Sequence, residues 1–301
     1  MQAAPRGPVA APVFFFARTS DGAPPFSSFG GKSQSQSQSQ TPAVPSNVES
    51  VPRVVELHDL RGHEAACTLD EHGFQAILDA PPLLPALLDA HGQLETRGKE
   101  SIVKDHVEAL LAAKWRPSEE IVYMDVFTVI FRSADASEAK QGAKRRPSPL
   151  VHVDQTPATG AMYTAQLPPE LRDLVQNGTL RLRILSVWQP LVPVVLDWPL
   201  ALAESASCPE SRLLSCATLF PSGYVGAMAL VQDDELSDAL RWWYWSGMQP
   251  HEALWIQNFD SATPTRSPHT SFRDPRVKES ASAHRKSVEA RVVIVTNALA
   301  V

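Results

Sequence analysis

Ile121-Val122-Tyr123-Met124-Asp125-Val126-Phe127-Thr128-Val129-Ile130-Phe131 is the stretch that decides the fold class. It is rich in β-branched and aromatic residues that suit a pleated, half-buried strand. Runs of the same kind follow at residues 150–154, 179–188, 225–231, 242–246, 253–259 and 288–295, with turn residues between them. Upstream, residues 51–60 read as a further strand, and residues 68–74 as a turn leading to a helix. Residues 99–115 carry apolar side chains at Ile102, Val103, Val107, Leu110 and Leu111, which is helical spacing. Many strands with little helix between them predict a mainly β fold, an antiparallel sandwich or jelly roll rather than a parallel α/β sheet.

The chain of 301 residues is 44% hydrophobic and 20% charged, which is ordinary for a globular protein with ample core. Its formal net charge of −6 gives no electrostatic reason to expect nucleic acid or an anionic membrane as partner, so a small-molecule substrate fits better. Cys67, Cys208 and Cys216 are too few and scattered for a disulfide framework, which suits a reducing compartment. No window approaches the roughly 20 apolar residues of a membrane span, and the chain reads as cytoplasmic. Residues 1–45 differ from the rest. A Ser-Gln repeat at residues 33–40 cannot bury enough surface to offset its ordering entropy, so the segment is expected to be mostly disordered. Its Phe14-Phe15-Phe16 patch remains a candidate short strand docking on residues 46–301, which read as a single catalytic domain.

The sharpest chemical signal is Val151-His152-Val153-Asp154. Side chains alternate along a strand, so His152 and Asp154 point the same way. Two such groups form the first half of a 2-His-1-carboxylate triad, which holds Fe(II) and leaves open positions for co-substrate and oxygen. Pro268-His269-Thr270-Ser271-Phe272 supplies a second histidine near the end of the strand region. Then Arg285-Lys286-Ser287-Val288-Glu289-Ala290-Arg291 runs into a final strand, with Arg285, Ser287, Glu289 and Arg291 sharing one face. An Arg-x-Ser pair suits a terminal carboxylate, because guanidinium gives a charged two-pronged clamp and the hydroxyl a third donor.

The order H-x-D, distant His, then R-x-S on the last strand resembles that of 2-oxoglutarate oxygenases, which adopt a double-stranded β-helix (jelly roll, cupin-like) with a few flanking helices. The stretches Val187-Trp188-Gln189-Pro190-Leu191, Asp197-Trp198-Pro199-Leu200-Ala201, Trp243-Tyr244-Trp245 and Phe259-Asp260-Ser261, with those around His269 and Arg285, resemble the fungal hydroxylase/desaturase family. That family includes gibberellin-desaturase-like and cephem-methoxylase-like enzymes of secondary-metabolite gene clusters. The resemblance spans roughly residue 46 to the end. It implies hydroxylation or desaturation of a small organic molecule with Fe(II), 2-oxoglutarate and O2. His152, Asp154 and His269 would be the metal ligands, Arg285 and Ser287 the co-substrate anchor, and Arg291 a second arginine reaching towards co-substrate or substrate. The chain departs from the family at Ser186 and Gln189, where an Asn-x-Trp-Arg-Pro stretch is usual, and at Leu202-Ala203-Glu204.

Other features read more plainly. The aromatic run Trp242-Trp243-Tyr244-Trp245 is expected in the core, Arg181 and Arg183 on the surface, and residues 140–146 in a solvated basic loop. Two alternatives stay open: a cupin-like metal enzyme that does not use 2-oxoglutarate, and a catalytically silent small-molecule-binding homologue.

Overall fold

A computed structural model describes residues 3–28, 46–87, 98–116, 119–135, 145–220, 222–278 and 284–297. In chain order the strands and helices are β1 (Val9–Thr19), β2 (Phe26–Ser28), β3 (Val48–Asp59), α1 (Leu69–His72), β4 (Phe74–Ile77), α2 (Lys99–Lys114) and β5 (Ile121–Ser133). Next come β6 (His152–Val153), α3 (Pro157–Gln166), α4 (Pro169–Gln176), β7 (Leu180–Pro190), β8 (Leu200–Ala203), β9 (Leu213–Leu219) and β10 (Val225–Val231). The last four are β11 (Trp242–Tyr244), β12 (Ala253–Asp260), β13 (His269–Ser271) and β14 (Lys286–Asn297). They form a nine-stranded sheet in the order β1-β3-β11-β8-β13-β6-β10-β9-β2 and a five-stranded sheet in the order β4-β12-β7-β14-β5. Pairing is antiparallel except for β11 with β3 and β2 with β9. The mainly β double-stranded β-helix, or jelly roll, is the fold observed.

The two faces of β14 explain how the site is made. Val288, Ala290, Val292 and Ile294 pack outward, in one cluster with Val103, Val107, Leu110 and Leu111 of α2. The alternate residues Ser287, Glu289 and Arg291 therefore turn into the space between the sheets. Across that space Leu200 and Leu202 of β8 meet Trp188 of β7 and Leu254 and Ile256 of β12. A helix dry on one side and a charged strand face on the other is the arrangement that keeps polar groups inside a barrel. Among the described residues no helix is long and apolar enough to cross a membrane.

Two expectations need correction. Within residues 1–45, Val9–Thr19 is not disordered but pairs along its length with β3. Its side chains alternate, with Ala11, Val13 and Phe15 fully buried, and Phe15 meets the edge of Trp242 at 6.3 Å. Pro12 is tolerated because β1 is an edge strand. The Ser-Gln repeat lies outside the described residues. Arg181 and Arg183 are not surface charges, since β7 is the middle strand of its sheet and both faces are covered. Arg183 instead grips Glu119 at 2.7 and 3.1 Å, while Arg181 binds Asp260 at 2.9 Å and Asp70 at 3.0 Å. Burying these charges is tolerable only because each is paired. Helices α3 and α4 are among the flanking helices; Thr156 caps α3 by accepting from the Thr159 N–H, and Pro157 opens it. The aromatic run does lie largely in the core, with Trp242, Tyr244 and Trp245 each about 1% exposed.

Because Phe15 is wholly buried and Phe14 is not, substitution should separate docking from mere proximity. Phe15→Ala should cost roughly 3–5 kcal/mol by denaturant unfolding and Phe14→Ala much less. Equal small losses would show that β1 is not part of the core.

Candidate metal centre

His152 of β6 and His269 of β13 are directly paired across the nine-stranded sheet, and their rings lie 4.6 Å apart. Asp154, two residues beyond His152, completes the group. The Nε2 of His152 is 3.4 Å from Oδ1 of Asp154, and the Nε2 of His269 is 3.5 Å from its Oδ2. One ligand atom from each residue falls within 4.8 Å of the others, and all three residues are buried. Bonds of about 2.1 Å to a shared ion would place such atoms about 3 Å apart, and the two distances from Nε2 to the carboxylate are already near that.

The ring tautomers are set by the backbone. His152 Nδ1 lies 2.7 Å from the Leu150 carbonyl, and His269 Nδ1 lies 3.0 Å from the Ser267 carbonyl. A carbonyl only accepts, so each Nδ1 donates and each Nε2 keeps its lone pair for a metal. Asp154 is held as firmly. Ser186 Oγ donates to its Oδ2 at 2.9 Å, Arg291 Nη2 donates to Oδ1 at 2.5 Å, and Asn258 both accepts from the Asp154 N–H and donates to Ser186. Burial opposes ionisation of Asp154, but Arg291 and the two imidazoles outweigh it and hold the carboxyl well below its ordinary range. Burial likewise opposes charge on His269, yet its bond to Asp154 raises its pKa. Two imidazoles and a carboxylate with satisfied outer partners fit a divalent transition metal.

Arg285 lies at a second locus in the same interior. It is fully buried, and its Nη1 donates to the Trp198 carbonyl at 2.6 Å and to Ser271 Oγ at 3.1 Å. Ser271 is two residues from His269 on β13, so the guanidinium sits about one strand repeat, roughly 7 Å, from that imidazole's strand position. Among the described residues its Nε and Nη2 and the Ser287 hydroxyl have no hydrogen-bond partner. Burial, with the charge of Arg132 added, pushes the Arg285 pKa down to about 9. Trp198, which receives Nη1, has a positive φ of 52°. Such backbone strain gathers where the surrounding structure enforces a particular arrangement. Arg291, by contrast, does not stand beside Arg285. It bonds Asp154 and, through Nε, Glu289 at 2.9 Å.

A cavity of about 940 Å³ opens over His152, Asp154 and Arg291. Phe127 and Ile130 of β5, Tyr163 of α3 and Tyr224 before β10 line it, together with Arg132, Arg145 and Arg146. Helix α3 reaches the cavity because Gly160 lacks a Cβ, which would lie 2.4 Å from the Phe259 ring. Ser186, Asn258, Tyr163 and Arg145 were missed by sequence reasoning. Gln189 lies outside the cavity and binds Pro81, Pro250 and His106 instead.

A family model described as an oxidoreductase/YMDC permease-like domain matches residues 13–295. The chain belongs to this family. It is 28% identical over 256 residues to the Fe(II)/2-oxoglutarate-dependent dioxygenase nvfI of Aspergillus novofumigatus, covering 82% of this chain and 85% of that protein. It is also 28% identical to the hydroxylase/desaturase efuI of Hormonema carpetanum, covering 80% and 82%. A solved structure of the iron and alpha-ketoglutarate-dependent endoperoxidase NvfI superposes with a TM-score of 0.76 at 24% identity, over 98% of this chain and all of that one. The protein is an oxidoreductase, similar to fungal hydroxylase/desaturases.

Ser186 touches Asp154 but none of the imidazoles in these contacts, so it tests the outer support of the centre alone. Ser186→Ala should weaken Fe(II) binding roughly 10- to 100-fold in an anaerobic titration while leaving the fold intact. Unchanged affinity would show that the Asp154 rotamer is set elsewhere.

Proposed function

We propose that this protein is a non-haem Fe(II)/2-oxoglutarate-dependent oxidoreductase that hydroxylates or desaturates a small organic molecule of fungal secondary metabolism. His152, Asp154 and His269 hold the metal in this reading, and Arg285 with Ser287 anchors the far carboxylate of 2-oxoglutarate. Iron held there, with 2-oxoglutarate and O2 as co-substrates, supplies oxidation of an unactivated C–H bond as 2-oxoglutarate is converted to succinate and carbon dioxide. The observation that carries the co-substrate assignment is the set of three buried donors on Arg285 and Ser287 that meet no acceptor among the described residues. Unsatisfied buried donors are costly, and a carboxylate placed among them restores their hydrogen bonds.

The residues divide the work. His152 and His269 present Nε2 because their Nδ1 protons are bound to backbone carbonyls. Arg291 and Ser186 keep Asp154 ionised and aimed, and Arg291, which also lines the cavity, is within reach of a co-substrate or substrate bound there. The apolar part of the cavity wall excludes water and presses substrate towards the centre. A metal enzyme indifferent to 2-oxoglutarate gives the free donors of Arg285 and Ser287 no use, which is the reason to prefer the oxygenase. Residues 46–301 are proposed as one catalytic domain with β1 added to its larger sheet. The net charge of −6 supports a small molecule rather than nucleic acid as partner. Buried, unpaired Cys67, Cys208 and Cys216 support a cytoplasmic setting.

Anaerobic titration of the Fe(II)-loaded protein with 2-oxoglutarate, followed by the visible charge-transfer band, tests the anchor. Lysine is a single-point donor, so Arg285→Lys should lose roughly 1.5–3 kcal/mol, or about ten- to a hundred-fold in affinity. Iron binding should survive. Wild-type affinity in Arg285→Lys would remove the anchor assignment, and no response in the wild type would remove the 2-oxoglutarate reading.

A further inference from the structure

Two uncharged polar side chains on the cavity beside the centre are buried without a use in the fold. Gln155 and Thr218 both line it, and they are only 6% and 5% exposed. Among the described residues, neither the Gln155 side-chain amide nor the Thr218 hydroxyl makes a hydrogen bond. Gln155 bonds through its backbone carbonyl, which accepts from Arg266 Nη1 at 3.2 Å. Thr218 is held by the strand pairing of its backbone with Gly226 and Ser27. A buried amide or hydroxyl without a partner is costly, so nearly all such groups in proteins are bonded. Two of them on one cavity point to a ligand that bonds them.

Both side chains are firmly placed. Gln155 lies between Asp154, whose N–H donates to Asn258 at 3.3 Å, and Thr156, the cap of α3. Thr218 stands in β9 opposite Gly226 of β10, which also lines the cavity. A Cβ at Gly226 would lie 3.4 Å from the Phe220 and Tyr224 rings and 3.8 Å from the Thr218 Cβ, so glycine there leaves room beside the hydroxyl. The charged groups on the cavity, by contrast, are engaged. Arg291 bonds Asp154 and Glu289, while Arg132 donates to the Arg146 carbonyl at 2.9 Å with Glu289 3.9 Å away. Arg145 is not free either, and its backbone joins β5, its N–H reaching the Phe131 carbonyl at 3.0 Å and its carbonyl accepting from Ser133 at 2.8 Å. Arg146 is exposed, so water solvates its charge. Sequence reasoning placed this segment in a solvated basic loop; residues 140–144 lie outside the described residues, but Arg145 and Arg146 border the cavity. Burial pushes the Tyr163 pKa up, so its phenol keeps its proton. Without displacing an existing contact, the cavity offers a ligand uncharged hydrogen bonds.

We propose that the substrate carries an uncharged carbonyl or hydroxyl oxygen bonded by the Gln155 amide, with a second polar contact at Thr218, while its apolar body meets Phe127, Ile130 and Met228. This deepens, and rests on, the reading of the adjacent centre as an Fe(II)/2-oxoglutarate site. A primary amide and a hydroxyl each donate and accept, so the pair suits either kind of oxygen. Gln155 directly follows Asp154 in the chain, and an oxygen held on it keeps the neighbouring carbons beside the centre. A site built to bond a substrate oxygen rejects the analogue that lacks it, because the protein's own buried groups are then left unpaired. A cavity of about 940 Å³ accommodates a molecule of drug size.

Equilibrium dialysis of the full chain, loaded anaerobically with Fe(II) and 2-oxoglutarate, should compare three probes of one shape. They are the ketone 2-acetylnaphthalene, the alkene 2-isopropenylnaphthalene, in which a methylene group replaces the carbonyl oxygen, and the anion 2-naphthoate. The ketone should bind at least about tenfold more tightly than the alkene and no more weakly than the anion. Gln155→Leu should remove most of the ketone preference and Gln155→Leu/Thr218→Val all of it; Gln155→Met, which keeps the side-chain length, takes the place of Leu if that variant does not fold. Equal binding of ketone and alkene by the wild type, or binding of neither, overturns the proposal. A ketone preference that survives in the double variant overturns it as well, and so does tighter binding of 2-naphthoate, since the cavity would then select an anion. Iron content is read in the same samples, and a preference lost only together with iron also overturns it, because Gln155 would then support the centre. If the wild type shows no 2-oxoglutarate response yet its ketone preference vanishes in the variants, the polar subsite stands and the oxygenase reading falls.

Discussion

The carboxylate of Asp154 is a buried charge, and the interior of the barrel is arranged around keeping it charged. An isolated carboxylate moved out of water would take up a proton instead. Here Arg291 supplies the opposing charge, Ser186 donates to the second oxygen, and the imidazoles of His152 and His269 face one oxygen each. Those same contacts fix the rotamer, so stability of the charge and geometry of the donor set have one cause.

That arrangement depends on strand alternation in β14. One face of the strand is sealed by α2, which commits Ser287, Glu289 and Arg291 to the interior. β7 pairs with β14 and brings Ser186 opposite Arg291, so two chain-distant residues reach Asp154 from adjacent strands. Asn258 arrives from β12 on the other side of β7. The middle position of β7 is also why Arg181 and Arg183 needed partners in Asp70, Glu119 and Asp260. One sheet thus carries both a structural ion network and the support of the metal site, on separate parts of its strands.

Much of this was legible in the sequence where local periodicity governs the outcome. His152 on β6 with Asp154 just past its end, and Ser287 on β14 with Arg285 just before its start, face where alternation sends them. Helix α2 was readable for the same reason. What escaped depends on pairing between distant segments. Ser186 appeared only as a departure from a family pattern, because its role exists only once β7 lies beside Asp154. Arg145 looked solvated because nothing in its basic surroundings reports that its backbone joins β5. β1 was hidden by prolines and by the Ser-Gln repeat that follows it, although its own alternation from Val9 to Phe15 marks a half-buried edge strand. The α3 start, by contrast, carries a readable signal in Thr156-Pro157.

The central claim is that His152, Asp154 and His269 form one preorganised site for a single iron. The most direct measurement is metal content of the protein reconstituted with Fe(II) under nitrogen and freed of excess metal, for the wild type and for Asp154→Ala. The account predicts one iron per wild-type chain and almost none retained by the variant, with both proteins folded. Equal iron in the two proteins would contradict it.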